Sequence, residues 1–336
     1  MPVKRCIVPS NAAMPMKSKP AYVALVGGAN MDISAHSTAP LLAADSNPGR
    51  IGCSPGGVAR NVAENLLRLG VDARLLSVLG EDVFGQALRQ AAAAIGLNLE
   101  ACVTLPGQRT ATYLSLHGAD GEMGVAVNDM GILECLTPAL MGRHANLLAG
   151  AAAWVVDCNL RPDVLQWLCA PDGPGAAPAG KSRQVVFAEA VSVAKCHKLL
   201  PLLDQLHTLK ANRLEAQALS GLPIHSPQAA CAAARSLQQR GVRNVVVSLG
   251  AQGVAWCDAS GAVGHRLVRP VPMASATGAG DALLGGLVYG HLHGMPLDLA
   301  VAWAMACAEL TLSSTFANSP DLSVAAVRAR LQQPTP

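Results

Sequence analysis

The stretch Ala276-Thr277-Gly278-Ala279-Gly280-Asp281-Ala282-Leu283-Leu284-Gly285-Gly286 sets three small residues, Gly278, Ala279 and Gly280, before one acid and an apolar run. Small residues leave backbone N–H groups bare. A helix that starts here aims those groups, and the positive end of its dipole, at one point. Such a point is a socket for a phosphate. A carboxylate at its lip, Asp281, repels the anion at rest; its task would be to take a proton from a hydroxyl that attacks the phosphate. The other reading is an ordinary loop with Asp281 as helix N-cap.

Other residues could complete that chemistry, and each has a plainer reading. Asn212-Arg213-Leu214-Glu215 follows a strand that ends at Leu209. Glu215 could order a hydrated Mg²⁺ while Asn212 touches phosphates, or the two could form a capping box. Gly56-Gly57 before a helix, with Asn61 one turn in, could hold a polyol, or mark a strand-to-helix turn that needs glycine. Asn30 and Asp32 follow the first strand; Asp32 could grip two sugar hydroxyls, or sit in a solvated turn. Ser248, Gly250 and Gly253 follow a buried strand and could wall a nucleotide pocket, or form a glycine hairpin turn. His291 and His293 have no metal-completing neighbours and read as a partly exposed helical face. Gly175 to Ser182 satisfies the formula G-x-x-x-x-G-K-S, but a Pro/Gly-rich loop precedes it and a strand-like run follows. Both contexts are wrong for a phosphate loop.

The elements that must position these groups alternate. Short apolar runs at 22–26, 73–78, 154–156, 185–187, 207–209 and 244–248 read as buried strands, with 254–256 and 264–268 as an antiparallel pair. Helical patterns stand at 58–69, 84–95, 280–293 and 298–314. The alternation predicts an α/β fold with a parallel sheet covered on both faces. Residues 33–53 and the hairpin-like 110–127 predict a small sheet set apart. Residues 1–20 read as a flexible extension without a secretion signal. The 25 basic and 22 acidic residues leave a net charge of +3 without a basic run, so nucleic acid is not an expected partner. No apolar run is long enough to span a membrane, and ten scattered cysteines suit a reducing cytoplasm.

Each motif is weak alone, and their order is not. Asp32, then Gly56-Gly57, then Asn212-x-x-Glu215, then Thr277 to Asp281 resembles the ribokinase-like (phosphofructokinase-B) carbohydrate and nucleoside kinases, over about residues 22–325. Narrower stretches resemble the branch that phosphorylates the 5′-hydroxyl of pseudouridine. These are Ala44–Gly49, Ser54–Val58 with Arg60-Asn61, Gly121–Met123 with Asn128–Met130, Asn212–Ala216, and Asn318 with Pro320–Ser323. The resemblance implies a three-layer sandwich over residues 21–330, with a mainly parallel sheet and a β-sheet lid from about 33–53 and 109–129 that also joins a homodimer. It implies ATP and Mg²⁺, and in many relatives a monovalent cation such as K⁺, here near Ser275 and Thr277. Asp281 matches the base, Gly278 to Gly280 the anion hole, and Asn212 and Glu215 the phosphate and metal motif. Asp32, Gly56, Gly57 and Asn61 match sugar-binding positions, with Asn30 beside them. The extra ring N–H of pseudouridine needs an acceptor; Asn128 and Asp129 after the hairpin are candidates, or only form its terminal turn. Two positions depart from the family pattern: Glu189 stands where Asp is usual, and Ala211 where Pro is usual. Ribose, fructose or adenosine as acceptor, and a nucleoside-binding regulator slowed by Glu189, therefore stay open.

Overall fold

The computed structural model describes residues 22–170, 173–174 and 184–333. The expected N-terminal extension and the 175–182 phosphate-loop match lie outside these residues. In chain order the strands are β1 Tyr22–Val26, β2 Asn30–Ser37, β3 Gly49–Gly56, β4 Asp72–Leu76, β5 Val78–Gly80, β6 Val103–Leu105 and β7 Thr112–His117. They continue with β8 Met123–Asp129, β9 Ala153–Asp157, β10 Val186–Glu189, β11 Thr208–Asn212, β12 Asn244–Ser248, β13 Val254–Cys257 and β14 Val263–Arg266.

Eight of them form the central sheet, in the order β14-β13-β12-β11-β10-β9-β1-β4. From β4 to β12 every pairing is parallel, and β13 and β14 close one edge antiparallel. The parallel strands are buried on both faces, which is why they read as unbroken apolar runs such as Val23–Val26 and Val245–Val247. One apolar cluster fills each face. On one face the helices Val58–Arg68, Ala279–Leu292 and Leu297–Leu312 pack together. The 279–292 helix is buried almost all round. A Cβ at Gly286 would lie 2.4 Å from Ala304 Cα, so these two helices touch backbone to backbone. A mainly parallel sheet between two helical layers matches the expected α/β sandwich. No helix among the described residues is long and apolar enough to cross a membrane.

The second sheet, β3-β2-β7-β8, stands apart as expected. It begins at Asn30 rather than 33 and runs to Gly56, so Asp32 lies inside a strand of this sheet and not in a turn. Two central strands also run further than apolar runs suggest: β10 reaches Glu189 and β11 passes through Lys210. These charged residues are register partners on adjacent strands and neutralise each other in the sheet. The expected 73–78 strand breaks at Ser77, whose Oγ donates to Gly27 O at 2.6 Å.

Candidate active site

Asp281 sits in the first turn of the 279–292 helix, at the C-terminal ends of the parallel strands, where open α/β sheets collect ligands. Gly278 caps the helix in a left-handed conformation, φ +78°, and a Cβ there would lie 1.8 Å from Ala317 O. No other residue fits. The first intrahelical bond is Ala282 N–H to Gly278 O at 2.9 Å. The N–H groups of Ala279, Gly280 and Asp281 therefore lie ahead of the ladder, as an anion socket requires. Under that socket is Lys210, whose Nζ would lie 2.8 Å from a Cβ at Gly280.

Burial pushes the Asp281 carboxyl up to about 7; the Asn61 hydrogen bond and Lys210 pull against this, while Asp157 and Asp32 add to it. The bond runs from Asn61 Nδ2 to Asp281 Oδ2 at 2.9 Å. Asn61 is itself aimed from both sides. Arg60 Nη1 donates to Asn61 Oδ1 at 3.1 Å and to Asn318 Oδ1 at 3.0 Å, and Asn318 Nδ2 donates to the Asn61 carbonyl at 2.8 Å. Arg60 is buried and held by Glu64 at 2.5 Å. The expected sugar ligand thus touches the expected base directly, with its amide flip fixed by a guanidinium that can only donate.

Asp32 faces the same cleft from β2. Its Oδ1 accepts from Asn30 Nδ2 at 2.5 Å. Burial raises its carboxyl, while Asn30 and Arg60 oppose the rise. A Cβ at Gly56 would lie 2.2 Å from Asp32 Oδ2, and one at Gly57, φ +101°, would strike the Gly28 carbonyl at 2.5 Å. Both glycines are there to let Asp32 and the 28–29 backbone close on the helix start. The strand register puts Ser54, Asp32, Tyr113 and Asn128 side by side across one face of the small sheet. Asn128 is exposed at the far end of that row, in strand β8 rather than in a terminal turn.

Asn212 and Glu215 form a complete capping box. Glu215 N–H donates to Asn212 Oδ1 at 3.0 Å, and Glu215 accepts from Asn212 N–H at 2.7 Å and Asn212 Nδ2 at 2.6 Å. The capping reading therefore holds, and it fixes the Glu215 carboxylate beside Glu189 and Lys210. Glu189 lies 3.0 Å from Lys210 through each oxygen, but only Oε1 receives a directed hydrogen bond. Burial raises Glu189 to about 8, against Lys210, with Glu215 and Asp281 adding to the rise. The longer side chain at 189 is thus committed to Lys210. Three carboxyl groups crowd one ammonium, and one buried oxygen, Glu189 Oε2, is left without a hydrogen bond. Among the described residues no three such side chains converge as a direct cage. That donor set fits a hard divalent ion that keeps most of its waters.

Ser248, Gly250 and Gly253 line a mainly apolar cavity of about 500 Å³ that ends at Ala279 and Gly280, next to the socket. Its size and composition suit a planar ring with a polar tail. Ser275 Oγ accepts from Thr277 N–H at 3.2 Å in the loop before the socket. Three contributors were not singled out from the sequence. Asp157, at the end of β9, accepts from Gly28 N–H at 2.8 Å, and burial raises its carboxyl. Its signal was its place at the carboxyl end of an apolar strand. The signal of Lys210 was a charge inside one. Arg60 had no signal beyond its neighbour Asn61. The two helix-end histidines lie on a partly exposed face, as expected: His291 also packs on His207 and Phe187, and His293 stacks on Tyr289 with ring centres 3.9 Å apart.

Free N–H groups at a helix start beside a buried carboxylate, a ring-sized cavity on one side and the polar row of the small sheet on the other make an arrangement suited to phosphoryl transfer between small molecules. Residues 20–323 match the pfkB family carbohydrate kinases, and the chain belongs to that family. It is a sugar or nucleoside kinase with an alcohol acceptor. Among relatives, the pseudouridine kinase of Escherichia coli K12 is 39% identical over 306 residues, spanning 91% of this chain and 95% of its own. An uncharacterized sugar kinase of the same organism, YeiI, is 36% identical over 90% of this chain and 81% of its own. Arabidopsis thaliana ribokinase, solved with ribose and ATP, has the same fold at 18% identity, with a TM-score of 0.81 over 94% of this chain and all (100%) of its own.

Proposed function

We propose that the protein transfers the γ-phosphoryl group of ATP to the 5′-hydroxyl of pseudouridine, giving pseudouridine 5′-phosphate and ADP. The Asn61–Asp281 contact carries the chemistry: it joins the polyol side of the cleft to a base that titrates near neutrality. The 39% identity to a pseudouridine kinase over nearly the whole chain supports the acceptor. Asp32, with Gly56 and Gly57 making room, holds the ribose hydroxyls. Asp281 takes the proton of the 5′-hydroxyl as that oxygen attacks phosphorus. The N–H groups of 278–280 receive the transferring phosphoryl oxygens, with the Lys210 charge beneath them. Adenine enters the cavity beside Ser248, Gly250 and Gly253, and Asn212 lies toward the phosphates. Mg²⁺, held through water by Glu215, would neutralise phosphate charge in this arrangement. K⁺ beside Ser275 and Thr277 belongs to the same reading, and equal rates in potassium and tetramethylammonium salts would remove it.

The small sheet acts as the lid, excluding water from the reacting groups. Its other face carries Ile51 (74% exposed), Val127 (62%), Val125 (51%) and Leu114 (42%) side by side, an apolar surface suited to a second lid. A homodimer closed there, in the cytoplasm, completes the proposal; Val127→Asp should shift the mass measured by light scattering toward one chain.

The test of function is coupled ADP release against pseudouridine, uridine, ribose, fructose and adenosine. We expect at least about a tenfold preference in kcat/KM for pseudouridine over uridine, because a site built for the extra N–H leaves its acceptor unpaired with uridine. Equal values for the two would refute the acceptor and leave the kinase class intact.

A further inference from the structure

A second cavity, of about 390 Å³, opens at the opposite end of the central sheet. It lies where β10, β11 and β12 begin and where the 279–292 helix ends. Phe187, His207 and His291 form its wall. The two imidazoles meet edge to face with centres 4.5 Å apart, and the Phe187 ring is 5.4 Å from one and 5.6 Å from the other. Leu287, Met295 and Ala300 make an apolar floor.

Arg243, the Asn244 amide and the two imidazoles can each donate a hydrogen bond into this space. His207 Nδ1 lies 2.9 Å from Thr208 Oγ1; with Nδ1 accepting the hydroxyl proton, Nε2 carries the N–H that faces the cavity. Among the described residues, nothing hydrogen-bonds the His291 ring, and nothing pairs with the Arg243 guanidinium. Burial, together with the Arg243 charge, lowers the proton affinity of both histidines, and His207 falls to about 4. Each ring is therefore neutral near pH 7 and carries one N–H. The one acid on the lining, Asp258, spends Oδ1 on Ser260 N–H, Ser260 Oγ and Ala262 N–H at 2.8, 2.6 and 3.0 Å. A guanidinium without a counter-ion, imidazole N–H groups and the Asn244 amide thus face a half-apolar space.

We propose that this cavity is a second ligand site, remote from phosphoryl transfer, for a small organic anion: a phosphate monoester with a planar or apolar body. Arg243 pairs with the anionic head, the histidine N–H groups hydrogen-bond it, and the body rests on Phe187 and the Leu287–Met295 floor. Cations are excluded by Arg243, and bare phosphate leaves the floor wet. The site shares three elements with the active site. Phe187 and Glu189 lie on β10, His207 directly precedes the β11 strand of Lys210, and His291 stands ten residues, about 15 Å along one helix, from Asp281.

The test is NMR of the intact protein labelled at histidine Cε1, titrated with phenyl phosphate and, separately, with orthophosphate. His207 and His291 signals should shift saturably with phenyl phosphate at a Kd below about 1 mM, which corresponds to about −4 kcal/mol. Orthophosphate should bind at least about tenfold more weakly. Arg243→Gln, an exposed substitution, should abolish the shifts and leave kcat unchanged, which separates this site from the catalytic socket. No saturable shift up to about 20 mM phenyl phosphate, or an Arg243→Gln titration like that of the wild type, would overturn the proposal. Equal affinity for orthophosphate would overturn the assigned ligand class.

Discussion

Replacing Asn61 by leucine keeps the volume of the side chain and removes its amide. Asp281 then loses the hydrogen bond that favours its ionised form. Arg60 loses one acceptor but keeps Asn318 and Glu64. A base must be ionised to act, so the wild-type pH profile of kcat/KM should rise through the Asp281 value of about 7. A hydrogen bond to a charged group contributes about 1.5–3 kcal/mol. At 1.36 kcal/mol per pKa unit, that moves the carboxyl up by about 1–2 units. The acid limb should therefore shift to between about pH 8 and 9 in Asn61→Leu, with kcat/KM at pH 7 reduced about 5–50-fold and largely recovered at high pH. The assay is steady-state ADP release between pH 5.5 and 9.5, with stability checked by thermal unfolding at each end. A lowered plateau with an unmoved limb would show that Asn61 only positions substrate, and would refute the electrostatic role assigned to it.

Asp281→Asn is nearly isosteric and should leave ATP binding intact while lowering kcat about 10²–10⁴-fold; a variant keeping a tenth of the rate would remove Asp281 as base. Glu215→Gln keeps the bond from the Asn212 N–H, gives up the one from Asn212 Nδ2, and drops the charge. The Mg²⁺ concentration for half-maximal rate should rise about 10–100-fold, and an unchanged titration would reduce Glu215 to a helix cap. Gly278→Ala puts a methyl 1.8 Å from Ala317 O at φ +78°. The socket must move, so kcat should fall at least about tenfold even in preparations that unfold at the wild-type temperature.

Legibility in the sequence followed the physics of each signal. The Gly278–Asp281 socket was visible because bare N–H groups at a helix start need small residues in a row, a local property. The parallel core was visible because strands buried on both faces are apolar throughout. The pairing of Lys210 with Glu189 was opaque for the same reason: a charge reads as the end of a buried strand, and its partner lies on a different strand, 21 residues away. Asp32 could not be placed in a lid strand from its own neighbours, because β2 pairs with segments that arrive later in the chain. Glu215 supported two readings at once; the structure shows the cap, and the hydrated ion belongs to the proposal, for which a capping carboxylate still has lone pairs. The choice of Asn128 rested on chemistry alone. Its register with Tyr113 and Asp32 was beyond any pattern in one strand.

The bond between Arg60 and Asn318 spans 258 residues and governs the aim of Asn61 on Asp281. On the ribosome, the helix that bears Asn61 and the acid at 281 both emerge before residue 318 does. Until then the base lacks the clamp that orders its partner amide. A chain stopped before residue 318 would thus bring Asn61 and Asp281 together without the contact that holds Arg60 in place. Asn318→Ala in the full chain should reproduce that immature state, and undiminished ADP release from it would show that the clamp has no such part.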